Sequence, residues 1–130
     1  MREESPEVAK LAMVFAKEVL QWHDAVFDSD SNPREIHSEV PVEGKTQFAG
    51  FRFGQLDEVM DMALVLCDCH TDTGLVVHRD WEKKYVATIQ CETLSPPFIM
   101  GKSQPCDTPH EALLQACIHA HRRGFRIRDV

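Results

Sequence analysis

Apolar residues recur at alternating steps of four and three through the first part of the chain. They form one helical face, which consists of Val8, Ala12, Phe15, Val19, Trp22 and Val26. This spacing predicts an amphipathic α-helix over about residues 6–27, with Ser5 as its N-cap and Pro6 in its first turn. In a chain of 130 residues, so long a helix is a candidate for burying part of its surface against a second subunit. We therefore expect a homo-oligomer.

A polar stretch follows from Asp28 to about Gly54. Its apolar positions show no clear period, and they are Val40, Val42, Phe48, Phe51 and Phe53. We therefore predict a long loop that is attached to the core through its phenylalanines. Loops longer than about 15 residues are uncommon in compact domains and are often functional.

The next part of the chain changes from a helical pattern to a strand pattern. An apolar stripe predicts a helix over about residues 56–70. Period-two alternation then predicts a β-hairpin over about residues 75–91, with its turn around Trp81. Residues 98–100 are a candidate edge strand.

A final helix over about residues 109–123 has both of its ends encoded in the sequence. Thr108 suits the N-cap and Glu111 follows three residues later, as in a capping box, while Gly124 suits the C-terminal stop. Its many small residues predict close packing against a sheet. The order of elements predicts an α+β fold in which a small antiparallel β-sheet packs between α-helices, in a single domain over residues 1–130.

Charge and hydropathy exclude several classes of partner. The formal net charge is −7, whereas binding to DNA or RNA needs a basic surface, so we expect no nucleic-acid partner. No apolar run approaches the roughly 20 residues that cross a bilayer, so we expect no membrane segment. The acidic N-terminus lacks the apolar segment of a signal peptide, which predicts a cytoplasmic protein with reduced cysteines.

Residues 28–39 carry part of the pattern of an EF-hand calcium loop. Oxygen-bearing side chains stand at its first, third, fifth and twelfth positions, namely Asp28, Asp30, Asn32 and Glu39. The sixth position is Pro33, however, where such loops normally have glycine, and no exit helix follows. A polar loop that ends the first helix is the expected structure.

Thiolate and imidazole ligands make zinc the metal that this sequence would bind. The candidate ligands are Cys67, Cys69, His70 and His78, with Cys117 and His121 as a second pair on the final helix. On a helix, Cys67 and Cys69 point about 200° apart, so the two thiols cannot hold one ion. We expect thiols that pack in the core, with no bound metal and no other cofactor. A zinc-binding protein or a small metal-dependent enzyme is the alternative function.

Motifs of the common catalytic classes are absent from the sequence. There is no Gly-x-Ser-x-Gly elbow, and residues 50–54 lack the Gly-Lys-Ser/Thr ending of a P-loop. The sequence leaves the question of an enzyme open, with the balance toward a protein that is not one.

Two groups of cations are candidates for binding a small anionic or nucleotide ligand. They are Arg79, Trp81 and Lys84 in the predicted hairpin turn, and Arg122, Arg123 and Arg126 at the end of the final helix. An indole can stack on a base while neighbouring cations hold phosphates. The alternative is an exposed turn with a surface tryptophan, and cations that compensate the helix end.

Three stretches of the chain are similar to one known family. They are Val19-Leu20-Gln21-Trp22, the predicted helix over residues 56–67, and the hairpin at residues 81–90 followed by the final helix at residues 108–120. The order of these elements resembles the phage ABA-sandwich family of small bacteriophage proteins. The first stretch is similar to the family's Val-Met-Gly-Trp, with Gln21 in place of the glycine.

The resemblance implies a small sheet between helical layers and a phage or prophage setting. It supplies no catalytic residues. Small phage accessory proteins commonly act by binding, either by sequestering a nucleotide signal or by blocking a host or defence protein. We therefore predict a non-enzymatic phage accessory binding protein that takes a small anionic ligand or a host protein, as in counter-defence.

Overall fold

The computed structural model of the chain describes residues 5–29, 31–68, 70, 72–91 and 98–125, and for Pro41 and Val42 it describes the backbone alone. Within these residues the helices are α1 (Pro6–Val14), α2 (Leu56–Asp68) and α3 (Pro109–Arg122), and α1 continues as a π-helical turn over Phe15–Val19. The strands are β1 (Val26–Phe27), β2 (Glu35–Val42), β3 (Lys45–Arg52), β4 (Thr73–Arg79), β5 (Tyr85–Cys91) and β6 (Phe98–Lys102).

Helix α3 lies at the centre of the molecule, in contact with strands β5 and β6 and with helices α1 and α2. Its N-terminus is capped as predicted, because the Thr108 hydroxyl accepts a hydrogen bond from the Glu111 backbone N–H at 3.3 Å. Ten of its 14 residues are buried. The helix therefore serves as the element against which the rest of the described chain packs.

Strands β4, β5 and β6 form an antiparallel sheet in that order. The predicted hairpin and edge strand are both confirmed, and Ile89 of β5 lies opposite Gly101 of β6. The sheet approaches α3 closely at this point, since a β-carbon added to Gly101 would lie 2.6 Å from the Ala120 β-carbon. A glycine facing an alanine permits this distance, which confirms the close packing predicted from the small residues of α3.

The first helix is shorter than predicted, and the expected helix over residues 6–27 is wrong beyond Val19. Leu20 N donates to Phe15 O at 3.1 Å, which is the i to i+5 bond of a π-helix. Gln21 then adopts a left-handed backbone with φ of 60°, which ends the helix. The predicted apolar face from Val8 to Val19 is buried in the chain's own core. It is therefore not a surface for a second subunit.

Residues 35–52 form strands instead of the predicted loop. β2 and β3 pair along their whole length, from Glu35 opposite Arg52 to Val42 opposite Lys45, and β1 adds a short third strand. This second antiparallel sheet packs on the helices through aromatic rings. One such contact is the edge-on pair of Phe15 and Phe51, whose centroids are 6.1 Å apart.

This hairpin was not predicted from the sequence because its turn residues are unusual and because one strand contains Pro41. Glu43 and Gly44 have φ values of 51° and 78°, as in a two-residue type I′ turn, although such turns usually begin with asparagine or aspartate. Pro41 lies inside β2 and weakens the strand pattern. Among the described residues β1 pairs with residues 36 and 37 alone, so within this part of the chain the rest of β2 has one unpaired edge, where proline is tolerated.

The α+β fold class is confirmed, with two antiparallel three-stranded sheets in the described residues where one was predicted. The helices pack against these sheets, with α3 against β5 and β6 and α2 against β3. None of the helices in the described part of the chain has both the length and the apolar character that crossing a membrane requires.

Candidate functional site

An open cleft lies where α1, β6 and α3 meet. It has a volume of about 440 Å³ and is lined by two apolar, two amide and three basic side chains, which are Leu11, Ile118, Gln104, Gln115, Lys102, His119 and Arg122. This volume is in the range of sites that hold small molecules. Basic side chains grouped in this way stand out in a chain whose net charge is −7.

The imidazole of His119 joins α3 to the end of β6. Its Nδ1 lies 3.1 Å from the backbone N of Lys102 and 3.0 Å from the Lys102 carbonyl oxygen. A neutral ring protonated on Nε2 accepts at Nδ1 from the Lys102 N–H, whereas an imidazolium donates from Nδ1 to the carbonyl. In both states Nε2 carries a hydrogen. A bound anion that accepts from Nε2 therefore favours these two states over the tautomer protonated on Nδ1 alone.

Arg122 is held at the cleft by Glu18 of the π-helical turn. Its Nε and Nη2 donate to the two carboxylate oxygens of Glu18 at 2.8 and 3.0 Å, which is a bidentate pair. The hydrogen bond to Glu18, followed by the attraction between the two charges, raises the pKa of Arg122. Glu18 thus orients the guanidinium and neutralises part of its charge, while Nη1 takes no part in this pair.

The two glutamines of the cleft connect α3 to the segment after β6. The Gln104 backbone N–H donates to Gln115 Oε1 at 3.1 Å. Because this bond occupies the oxygen of the Gln115 amide, the NH2 group of that amide is the end left to donate to a ligand. Leu11 and Ile118 supply apolar surface beside these polar groups.

The cations predicted in the hairpin turn lie at the other end of α3 from this cleft. Strand β5 begins beside Cys106, which precedes α3, and Lys84 forms an ion pair with Asp107. Arg122 is at the C-terminal end of the same helix. Since α3 has 14 residues, roughly 20 Å separates its two ends. The two predicted groups of cations therefore do not form one site.

Within the turn, the three predicted side chains make separate contacts. The Arg79 guanidinium lies 5.6 Å from the centroid of the Tyr85 ring. The hydrogen bond and charge of Asp107 raise the pKa of Lys84. Trp81 is 88% exposed at the tip of the hairpin.

The remaining predicted arginines differ in their positions. Arg123 Nη1 donates to the carbonyl oxygens of Ile99 and Met100 at 3.2 and 3.3 Å. Its guanidinium is therefore engaged with the backbone of β6. Arg126 lies outside the described residues. Of the second predicted group, Arg122 is the described member that lines the cleft.

The zinc candidates near α2 lie in different surroundings. Cys67 is buried on the core side of α2, and His78 is exposed on β4. The His70 ring stacks on Phe125, with centroids 3.7 Å apart. Cys69 lies outside the described residues. Among the residues that are described, His, Cys, Asp and Glu side chains form no group of three or more that could hold a metal ion.

The second zinc candidate, the pair of Cys117 and His121, is buried in α3. Burial raises the pKa of the Cys117 thiol, and the nearby Cys67 thiol raises it further. Among the described residues, no third His, Cys, Asp or Glu side chain joins this pair in a group that could hold a metal ion.

Asp28, the first position of the calcium-loop pattern, closes the connection between β1 and β2. Its Oδ1 accepts hydrogen bonds from the backbone N–H groups of Arg34 and Glu35 at 2.9 and 3.1 Å. These bonds, that of Arg34 foremost, lower the pKa of Asp28. Glu39 lies on β2 opposite Phe48, and Asp30 lies outside the described residues. The segment is thus the entry to a strand.

Arg122 was predicted from the sequence as a ligand-binding residue. The four polar residues that line the cleft with it were not predicted, and they are Lys102, Gln104, Gln115 and His119. A signal for some of them was present. Gln115, His119 and Arg122 follow at steps of four and three, so they share one face of a helix that is otherwise largely apolar. The predicted edge strand ended at residue 100, two residues before Lys102.

Every charged side chain that lines the cleft, among the described residues, is basic. Donor groups from β6 and α3 thus converge beside an apolar floor, which is an arrangement for a small molecule with a negatively charged part. No family model, no curated protein and no solved structure matches this chain.

Proposed function

We propose that this protein is a non-enzymatic binding protein that holds a small anionic ligand, of the nucleotide class, in the cleft between α1, β6 and α3. The observation that carries the proposal is the lining of that cleft, in which Lys102, His119 and Arg122 stand beside an apolar floor. Nucleotides combine negatively charged phosphates with a flat, largely apolar base, so they match both parts of the lining.

The lining divides naturally between the two parts of such a ligand. Lys102 and Arg122 are the permanent cations, and they suit the phosphates. His119 adds an N–H donor at Nε2 when an anion is bound. The NH2 group of Gln115 suits a carbonyl or a ring nitrogen on the base edge, and Leu11 and Ile118 provide the surface under the ring.

The resemblance to the phage ABA-sandwich family supports a setting in an infected bacterium. A protein of this kind would act by sequestration, because it removes a nucleotide signal from the host without chemical change. Such signals occur in the host cytoplasm, where we place the protein. We prefer ligand sequestration to the blocking of a host protein because the converging donors line a concave site.

Calorimetric titration tests this proposal. We expect ADP and inorganic pyrophosphate to bind and adenosine to bind far more weakly, because adenosine lacks the phosphates. Lys102→Met removes one cation from the lining. It should weaken ADP binding by about tenfold or more, since a hydrogen bond to a charged group contributes roughly 1.5–3 kcal/mol. Lys45→Met is the matched control, because Lys45 is exposed at the start of β3 in the other sheet.

Two results would overturn the proposal. The first is the absence of binding for both ADP and pyrophosphate at millimolar concentration. The second is an ADP affinity that is the same for Lys102→Met and for Lys45→Met. Circular dichroism of each variant establishes that the protein is folded, so that a loss of binding reports on the cleft.

A further inference from the structure

The outer face of α1 and of the π-helical turn that continues it carries two lysines and is partly apolar. Lys10 of α1 and Lys17 of the π-helical turn are exposed and lie seven residues apart, and Glu7, one turn before Lys10, is exposed as well. Met13 and Val14 lie between the two lysines and are half-buried. Lys10, Met13 and Val14 also line a groove of about 770 Å³, whose other wall includes Phe27 of β1.

The outer face of α2 is acidic and partly apolar. Asp61 and Asp68 are exposed and lie seven residues apart, which is about 10 Å along this α-helix. Three apolar side chains on this helix are each 38% exposed, namely Met60, Leu64 and Val65. These side chains offer apolar surface to a partner, with the two aspartates beside them.

We infer that α2 of one copy of this chain docks on α1 of a second copy. Lys10 and Lys17 stand seven residues apart, as do Asp61 and Asp68, so we expect one register of the two copies to bring each lysine near one aspartate. In that register the partner's Met60 and Leu64 face the groove beside Met13 and Val14.

Within the part of the chain that the structure describes, the lysines of the first face and the aspartates of the second take part in no ion pair. Both helices pack on α3 with their other sides, because Val8 and Ala12 of α1 and Val59 and Ala63 of α2 are buried in the core. The ion pairs between described residues use other charges, such as Arg52 with Glu58. A second copy therefore supplies both the charges and the apolar surface that each face lacks.

The face on α1 and the face on α2 are different surfaces of the same chain, and this difference determines how copies assemble. Each contact joins the α1 face of one copy to the α2 face of another. Two such contacts between the same two copies give a closed two-fold dimer, whereas contacts to successive copies give a ring or a growing assembly. This inference does not depend on the ligand cleft.

Charge reversal tests this contact, with mass in solution measured by light scattering. We expect the natural chain to have a mass that is a multiple of 14.8 kDa at high protein concentration. Lys10→Glu/Lys17→Glu makes both faces acidic, and Asp61→Lys/Asp68→Lys makes both faces basic. Each variant alone should give a mass of 14.8 kDa, because like charges then meet across the contact.

Mixing the two variants in equal amounts should restore the larger mass, since each acidic face then meets a basic one. Lys45→Glu/Lys83→Glu is the control for Lys10→Glu/Lys17→Glu, because it changes the net charge by the same amount at exposed positions on other elements. Restoration in the mixture also demonstrates that both variants are folded.

Three outcomes would overturn the inference. One is a natural chain whose mass is 14.8 kDa at every concentration. Another is a charge-reversed variant that keeps the mass of the natural chain. The third is a mixture that stays at 14.8 kDa although both variants are folded by circular dichroism.

Discussion

Gly101 and Ala120 are in such close contact that a β-carbon added to Gly101 would lie 2.6 Å from the Ala120 β-carbon. Lys102 follows the glycine on β6, and His119 precedes the alanine on α3. The hydrogen-bonded contact between Lys102 and His119 is therefore set by the approach of these two small residues. The cleft thus depends on a glycine that does not line it.

Replacing Gly101 by alanine should destabilise the protein and weaken the cleft together. The new methyl group would also lie 2.5 Å from the Ala116 carbonyl oxygen. This oxygen belongs to the helix backbone, which cannot move aside as a flexible side chain can. We expect a loss of about 1–3 kcal/mol in the free energy of unfolding, measured with urea, together with weaker ADP binding. Unchanged stability and unchanged affinity would contradict this account of β6 and α3.

Substitutions at Glu18 and Arg122 should move ADP affinity in opposite directions. A bound anion competes with the Glu18 carboxylate for the Arg122 guanidinium. Glu18→Gln removes the competing charge. We expect the affinity for ADP to rise by only roughly threefold, because solvent-exposed ion pairs contribute little free energy. Arg122→Gln should lower affinity by about tenfold, because it removes a charged donor. Calorimetry measures both values, and a change of the same sign in the two variants would argue against a role for Arg122 in binding.

Gln21→Gly should stabilise the protein. Gln21 has φ of 60°, and a left-handed backbone costs an L-residue roughly 1–2 kcal/mol. Glycine adopts this conformation without steric cost but loses more chain entropy on folding, about 0.5–1 kcal/mol. The net gain in the free energy of unfolding should be roughly 0.5–1 kcal/mol by urea denaturation. Gln21→Ala is the control, and a glycine variant no more stable than the alanine variant would count against strain at this position.

Thiol alkylation should distinguish the cysteines by burial. Burial, and then the charges of Glu111 and Asp107, raise the pKa of Cys106 to about 11, so few molecules carry its thiolate at neutral pH. Of the cysteines that the structure describes, half-exposed Cys91 should react first with iodoacetamide at pH 7, with Cys106 and Cys117 much slower. Peptide mass mapping measures the order, and faster labelling of Cys106 than of Cys91 is the contrary result.

The raised pKa of Cys106 makes stability depend on pH in alkaline solution. In the folded protein this pKa lies above the 9.0 of an unperturbed thiol, so the thiol loses its proton at a lower pH in the unfolded chain. Its contribution to stability is present below pH 9 and is lost as the pH rises toward about 11.

Elements whose signals are local could be predicted from the sequence. α3 carries its cap at Thr108 and its stop at Gly124, and the β4–β5 hairpin shows period-two alternation. The first helix was predicted too long because apolar residues keep a helical spacing as far as Val26. That spacing contains no information about the left-handed backbone at Gln21. The β2–β3 hairpin was missed because Pro41 and an unusual turn weaken its pattern.

The cleft could be predicted only in part, because its lining comes from distant parts of the chain. Leu11, Lys102 and Arg122 become neighbours only after β6 packs on α3 and α1 packs beside them. Arg122 was a candidate because it stands in a cluster of arginines in the sequence. Lys102 has no basic residue beside it in the sequence, so only the folded structure places it near other cations.

Amide NMR spectra of the isotope-labelled protein during titration with ADP test binding in the cleft most directly, because they locate the ligand on the folded protein. We expect ADP to shift the amide signals of four residues and to leave the Trp81 backbone and indole signals in place; the four residues are Lys102, Gln104, Gln115 and His119. Shifts confined to the turn around Trp81 and Lys84, or no shifts at all, would contradict binding in the cleft.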